Sequence, residues 1–423
     1  MLCLAFKVVP GEQEMRCLQR EREALLQFKA SLLDLNGFPL GPLPPIVANG
    51  RGFSAATSLA ISHFPEFLAS LSNLTFFDLS WCHFGGKIPS QFGSLPHLKY
   101  LNLAGNELEG SIPPQLGNLS KLEYLDLSEN NFEGNIPFQL GNLFMLEYLD
   151  LTWNNFEGNL PSQLGNLSNL QKFYLGGSYN GVQEINDGEL SLIDCSLSNH
   201  FILSLRPYQF NFSTSLLAFH LSWNTFTSPV IFPWVSNITS NLVELYLDGN
   251  NLEVFVSNHF GMATNSLEHL DLFFNSFKGE VLKSFKNICT SHSLSMQGNN
   301  LTEDLPSILH NLSNGCIRYS LQNLDLSNNK IVGSLSDISL FLALKSLDLS
   351  RNRLNGKIRE DIKLPSQMGF LSISSNFLEG GIPKSFGNAC ALRTLDMTNN
   401  NLSDEFSMII HYLSRCARSH YKN

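Results

Sequence analysis

The sequence predicts a curved α/β solenoid with a parallel β-sheet lining its concave face. Three observations carry that expectation. Leu71, Leu95, Leu119, Leu143 and Leu167 stand 24 residues apart and open segments that read alike, such as LPHLKYLNLAGNELEGSIPPQLGN and LSKLEYLDLSENNFEGNIPFQLGN. A Leu-x-Leu pair precedes an Asn in each: Leu101 and Leu103 before Asn106, Leu125 and Leu127 before Asn130, Leu270 and Leu272 before Asn275. Counting Cys82, Ser178 and Cys195 at the Asn place, the unit recurs 14 times along the chain. Such a period marks one stacked array, where length alone would suggest two or three ordinary domains.

Composition narrows the function. With 423 residues, 43% hydrophobic and 15% charged, the chain is too apolar to be largely disordered. A net charge of −10 argues against nucleic acid, which calls for a basic stripe. No stretch reaches the ~18 to 20 apolar residues of a membrane-spanning helix, so no span is expected in this chain.

Each part of the unit has a physical reason. The Leu-x-Leu pair has period two, so both side chains share one face of a short strand. One such strand buries too little to stand alone, and stacked copies bury a continuous core. The Asn sits where the strand turns away, and its amide can bond the open backbone groups of neighbouring turns. Gly86, Gly110, Gly134, Gly158, Gly333, Gly356 and Gly380, four residues later, suit a tight bend where a Cβ would crowd. Phe84, Phe132, Phe156, Phe226 and Phe277 follow the Asn place by two and fill the interior, which absorbs much of an excess of 32 Phe. Stacked at ~4.8 Å per strand, the array would form a rod roughly 65 Å long.

The unit LxxLxxLDLSxNxFEGxIPxQLGN, with GKIP at 86–89, GSIP at 110–113, GNIP at 134–137 and GGIP at 380–383, resembles the plant-type leucine-rich repeat. CLQREREALLQFKASLLD, at Cys17–Asp34, is similar to the cap helix of plant leucine-rich-repeat receptors and places Leu25, Phe28 and Leu32 on one helical face. ELSLIDCSLSNHFILSLRP and LTEDLPSILHNLS look like legume receptor-like proteins related to the xylanase-elicitor receptors. The resemblance implies a truncated ectodomain at the apoplastic face of the plasma membrane, or secreted. It would bind a protein or peptide on its concave face and signal through a partner receptor kinase in defence or development. No cofactor is implied. Two alternatives stay open: a secreted inhibitor blocking a microbial cell-wall-degrading enzyme, and a degenerate truncated copy.

The chain divides in order. Residues 1–16 are expected to be a signal-peptide remnant, with an ordinary N-terminus as the other reading. Residues 17–45 form a partial cap helix, 46–70 a degraded first repeat, 71–181 regular repeats and 182–423 irregular repeats without a C-terminal cap. After Asp34 the family's cap cysteines do not follow, which leaves Cys17 without its expected partner. Ser178 to Cys195 spans only 17 residues. A deletion or splice accounts for that step, or an island that bulges from the array.

There are eight Cys. Cys82 and Cys195 replace the Asn and read as buried thiols. Cys289 and Cys316 lie 27 residues apart, and Cys390 and Cys416 lie 26 apart. About one repeat separates the members of each pair, which puts them on adjacent coils, and two disulfides are expected. Sequons occur at Asn73, Asn118, Asn166, Asn211, Asn237, Asn300, Asn311 and Asn401. Together with the Cys pairs they favour a secreted glycoprotein.

The candidate binding residues lie on the strand face. Phe76, Tyr100, Tyr124 and Tyr148 fall six places before the Asn place in consecutive repeats, and Trp81, Trp153 and Trp223 fall one place before it. Alternation away from the leucines would turn both sets to solvent. Exposed aromatic columns suit a contact surface, while cross-strand stacking is the competing reading. Asp78, Asp126, Asp150, Asp271, Asp325, Asp348 and Asp396 belong to the LDLS consensus and do not enclose an ion, so no metal is expected. No catalytic set is legible: there is no His-x-x-x-His with a Glu, no Cys-x-x-Cys, no Gly-x-Ser-x-Gly, no phosphate loop and no kinase signature.

Overall fold

The computed structural model describes residues 5–6, 73–158, 160–176, 215–224, 241–253, 266–279 and 281–403. The cap helix, the first repeat, the short step after Ser178 and the residues Cys195, Asn211, Phe226, Asn237 and Cys416 lie outside them. The chain forms two compact units: Met1–Leu216 with Trp223–Thr225, and Leu217–Ser222 with Phe226–Asn423.

In the first unit the Leu-bearing segments become three-residue strands in register. Phe76–Asp78, Tyr100–Asn102, Tyr124–Asp126, Tyr148–Asp150 and Lys172–Tyr174 pair in parallel, with Phe76, Tyr100, Tyr124, Tyr148 and Lys172 side by side. Ala5–Phe6 runs antiparallel beside the first of these strands. The second unit repeats the pattern from Ala218–His220 through Thr394–Asp396, again parallel and in register. Leu101, Leu103, Leu125, Leu127, Leu270 and Leu272 are all at most 1% exposed. Each such side chain contributes about 1.5–3 kcal/mol on burial. Phe84, Phe132, Phe156 and Phe277 are buried behind them.

Register is held by the Asn. The Asn130 amide donates to the carbonyls of Leu103, Leu127 and Ser128 at 2.9, 3.2 and 2.9 Å, and its oxygen accepts from the Leu108 N–H at 3.0 Å. Asn106, Asn154, Asn275, Asn299, Asn329, Asn352 and Asn376 repeat the donation to the preceding coil at 2.9–3.0 Å. One buried side chain thus ties each coil to the one before it. At Cys82 the thiol instead lies 3.2 Å from the Ser80 carbonyl, buried as the sequence suggests.

Three elements go beyond the sequence reading. A second parallel sheet follows the Asn in each unit: Gly85–Gly86, Glu107–Gly110, Asn131–Gly134 and Asn155–Phe156 in the first, Val332–Gly333, Arg353–Lys357, Phe377–Gly380 and Asn401–Leu402 in the second. A 3-10 turn then follows the Gly-x-Ile-Pro or Gly-x-Leu-Pro step of the regular coils, as at Pro114–Asn118, Phe138–Asn142, Ser162–Asn166 and Lys384–Asn388. The coil after Asn299 is longer, and there an α-helix, Leu305–Ser313, takes the turn's place. Its first turn is capped by Asp304, which accepts from the Ser307 N–H at 3.2 Å.

The reason for the bend glycines differs from coil to coil. A Cβ at Gly134 or Gly356 would meet nothing within 4 Å, so crowding does not select glycine there. The φ values of +74° and +75° do, because a Cβ is strained in that region. At Gly158 and Gly333 a Cβ would in addition run into the side-chain oxygens of Asn135 and Asp304 on the preceding coil, and at Gly117 into the Gln139 carbonyl oxygen of the next coil.

The ladder predicts a large, local cost of mutation. Asn130→Ala should lower stability by about 2–4 kcal/mol, since buried carbonyls and an N–H lose their partner. Asn131→Ala, at an exposed neighbour, should change it by under about 0.5 kcal/mol. Urea titrations of the two variants check this. Equal midpoints would remove the amide from its structural role.

Candidate functional site

The open face of the first sheet carries the columns that the leucines leave outward. Phe76 stacks on Tyr100, Tyr100 on Tyr124 and Tyr124 on Tyr148, each with ring centroids 4.2 Å apart and planes within 13°. Tyr174 closes the column edge-on to Tyr148, with centroids at 5.4 Å. These rings are half-buried because their faces are spent on one another, and each contact of this kind is worth about 0.5–1.5 kcal/mol. What reaches solvent is a row of ring edges and hydroxyls. Stacking and exposure therefore coexist in this column, and Tyr174 joins it from a place the spacing rule did not include.

The hydroxyls are tied to the carboxylates beside them. Tyr124 donates to Asp126 Oδ2 and Tyr148 to Asp150 Oδ2, both at 3.2 Å. The other carboxylate oxygens accept from the turn that ends each strand: Asp126 Oδ1 from Ser128 N and Oγ at 3.0 and 2.6 Å, Asp150 Oδ1 from Thr152 N and Oγ1 at 2.9 and 2.7 Å. The LDLS aspartates are thus turn caps. Burial pushes the phenols of Tyr100, Tyr124 and Tyr148 up and keeps them neutral. Burial likewise pushes the Asp150 carboxyl up to about 6, against the opposing bonds from Thr152, and raises Asp271 and Asp325.

The tryptophans reach solvent by a different route from the one alternation suggested. Trp81, Trp153 and Trp223 fall on the same parity as the leucines and would point inward on an unbroken strand. The backbone at this place is left-handed instead, with φ of +57°, +56° and +55°. That twist swings the side chain outward. Gly105, Glu129, Gly249, Phe274, Gly298, Asn328, Arg351, Ser375 and Asn399 occupy the same place with φ between +46° and +66°. The glycines and asparagines among them were the readable signal. Trp81 is 64% exposed and Trp153 42%, while Trp223 is half-buried.

The second unit lacks the aromatic column. Its corresponding places hold Ala218, Glu244, His269, Ser293, Asn323, Ser346, Phe370 and Thr394, and Phe370, flanked by Ser346 and Thr394, has no stacked neighbour in the column. Cross-coil pairs appear there instead, His220 with Glu244 and His292 with Glu268, both at 3.4 Å. On the flanks, Cys289 and Cys316 form a disulfide with Cα atoms 4.9 Å apart. Cys390 is also disulfide-bonded. Among the sequons, Asn73, Asn118, Asn166 and Asn401 are exposed, Asn311 lies half-buried on the α-helix, and Asn300 accepts from Lys330 Nζ at 2.7 Å. Among the described residues no group of three or more His, Cys, Asp or Glu is placed to hold a metal, and no helix is long and apolar enough to cross a membrane.

Comparison with known proteins agrees with this architecture. A leucine-rich repeat region family model matches residues 51–187, and a leucine-rich repeat model matches 266–288, 320–341, 343–364 and 391–413. Receptor-like protein EIX2 of Solanum lycopersicum is 32% identical over 153 residues, which are 36% of this chain and 14% of that protein. The chain thus matches only a small part of that relative's length. The Arabidopsis receptor kinase HAESA, solved in complex with the peptide hormone IDA and the co-receptor SERK1, superposes with a TM-score of 0.52 at 25% identity, covering 90% of this chain and 73% of that one. A leucine-rich-repeat protein of Leptospira interrogans shares the fold, with a TM-score of 0.65 at 24% identity over 84% of this chain and 80% of its own.

The raised Asp150 pKa fixes a sign. A carboxyl that titrates near 6 when folded and near 3.8 when unfolded opposes folding once ionised, so its penalty shrinks as pH falls through that window. Asp150→Asn should therefore stabilise the chain more at pH 7 than at pH 5, by about 1 kcal/mol. Thermal unfolding of both proteins at the two pH values measures this. A constant difference would show that Asp150 is not held up by burial.

Proposed function

Because the chain is a leucine-rich-repeat protein of the plant receptor-like kind, we propose that its first unit is an extracellular recognition surface. It takes a protein or peptide on its open strand face and passes the event to a partner receptor kinase, in defence or development. The observation that carries this reading is the aromatic face itself. Four stacked rings lie beside two exposed indoles on a sheet whose register is held by buried amides. A rigid aromatic surface binds with little loss of side-chain entropy and suits a hot spot. The Cys289–Cys316 disulfide and the exposed sequons support an oxidising, extracellular setting. The likeness to HAESA, a receptor solved with a peptide and a co-receptor, supports the same reading.

Capture from apoplastic fluid on immobilised chain, followed by cross-linking and mass spectrometry, tests it. A Tyr124→Ala, Trp153→Ala chain should lose the cross-linked ligand several-fold. Tyr124→Phe, which keeps the stack, should lose much less. Equal capture by all three would remove this face as the contact surface.

A further inference from the structure

Resting on that reading, the geometry points to a bay for one basic side chain, arginine or lysine, of an extended peptide, formed by Trp81, Gly105 and Glu129. These residues occupy the same repeat place on three successive coils, with φ of +57°, +65° and +52°. All three therefore leave the sheet in the same sense. Gly105 supplies the floor. The ring atoms nearest a Cβ built at Gly105 are Trp81 Cδ2, Cε2 and Cε3, the last two both at 2.7 Å. They are a bonded trio at nearly one distance, so the indole meets the glycine with its face. Trp81 thus leans one coil along the stack and turns its opposite face to solvent, consistent with its 64% exposure. Any larger residue at position 105 would displace it. The indole lies about one strand spacing, ~4.8 Å, from the coil that carries Glu129.

Glu129 is the charge available at this face. It is exposed and makes no ion pair among the described residues. The neighbouring carboxylates of Asp126 and Asp150 are already engaged by turn N–H groups, hydroxyls and tyrosines. Over the four coils from Phe76 to Trp153, the outward places six, four, two and one before the Asn place hold Asp78, Asp126, Asp150 and Glu129 and no lysine or arginine. Of the flanking bases, Lys99 is paired to Glu123 at 2.6 Å, His83 lies 3.6 Å from Glu107, and Lys172 enters this face only one coil later. An open indole face with a carboxylate one coil away fits a planar guanidinium, which stacks and ion-pairs at once, or an ammonium. A neutral or acidic side chain would gain neither contact.

Random dodecapeptides displayed on phage, panned on the immobilised full chain, test the bay. Peptides whose recovery falls on the Tyr124→Ala, Trp153→Ala chain should carry arginine or lysine at one recurring position, at least about fivefold above the unselected library. For a synthetic copy of one such peptide, replacing that arginine by citrulline should weaken binding about tenfold. Glu129→Gln should do the same, and the two losses together should be less than their product. Trp81→Ala, at an exposed side chain, should weaken the arginine peptide and leave the citrulline peptide nearly unchanged. The bay is overturned if strand-face peptides show no basic preference, or if citrulline costs as much on Glu129→Gln as on the unaltered chain. The broader reading fails instead if every recovered peptide binds the Tyr124→Ala, Trp153→Ala chain as well as the unaltered one. A library without any binder overturns both.

Discussion

A single side-chain amide, repeated coil after coil, is the interaction on which the rest of this structure depends. A coil that turns away from its strand leaves carbonyls and N–H groups buried beside the next coil, where water cannot reach them. Asn130 answers three carbonyls and one N–H at once, reaching one carbonyl in its predecessor and one N–H in the coil that Asn106 begins. No aliphatic residue could do this, and a hydroxyl is too short to do all of it. Leucine burial supplies most of the favourable energy, but leucines pack in many registers. The amide accepts one.

Register is what converts a repeat place into a surface column. Once Tyr100, Tyr124 and Tyr148 stand side by side, the ~4.8 Å strand spacing brings their rings close to the 4.2 Å observed for stacked faces. Slippage by one residue would turn every one of them to the other side of the sheet. The same register lines up the left-handed places, so that a glycine in one coil makes room for an indole from the coil before. Phe274 over Gly298 repeats the arrangement of Trp81 over Gly105, with a built Cβ meeting Phe274 Cδ1 at 2.8 Å. Residues on this face thus act through the neighbours that the ladder assigns to them.

Much of this was legible in the sequence, and the limits have physical causes. The Leu-x-Leu pair and the buried Asn could be read because they repeat and because period two has one interpretation on a strand. The second sheet could not. Its strands carry at most one buried leucine or phenylalanine each, as Glu107–Gly110 does, too little periodicity to announce a strand. The tryptophans were placed correctly at the surface for the wrong reason, since alternation alone would have buried Trp81. Backbone handedness decides that place, and only Gly105, Gly249, Gly298, Asn328 and Asn399 betray it in the sequence. The helix after Asp304 was missed although Asp-Leu-Pro-Ser is a readable helix start. Its coil runs 30 residues from Asn299 to Asn329, and the 24-residue unit holds no place for it.

The extent of the aromatic face also limits what can bind there. Four coils from Phe76 to Tyr148 span about 14 Å at ~4.8 Å per strand. An extended peptide covers that length in about four residues, at ~3.3–3.6 Å each. A folded protein of standard interface size would need several times this surface, much of it from coils whose outward places are polar. At the places where the first unit offers four stacked rings, the second offers alanine, glutamate, histidine, serine, asparagine and threonine, with one phenylalanine, Phe370. Affinity concentrated in a short aromatic stretch is the pattern of a few anchoring side chains rather than of a broad complementary surface. The tyrosine stack, with its faces already spent, supplies shape and hydrogen-bonding edges, whereas the exposed Trp81 and Glu129 would still have interactions to offer. On the proposed contact face selectivity would therefore rest on the left-handed column, where the repeat tolerates glycine, glutamate or tryptophan without moving the leucines beneath it.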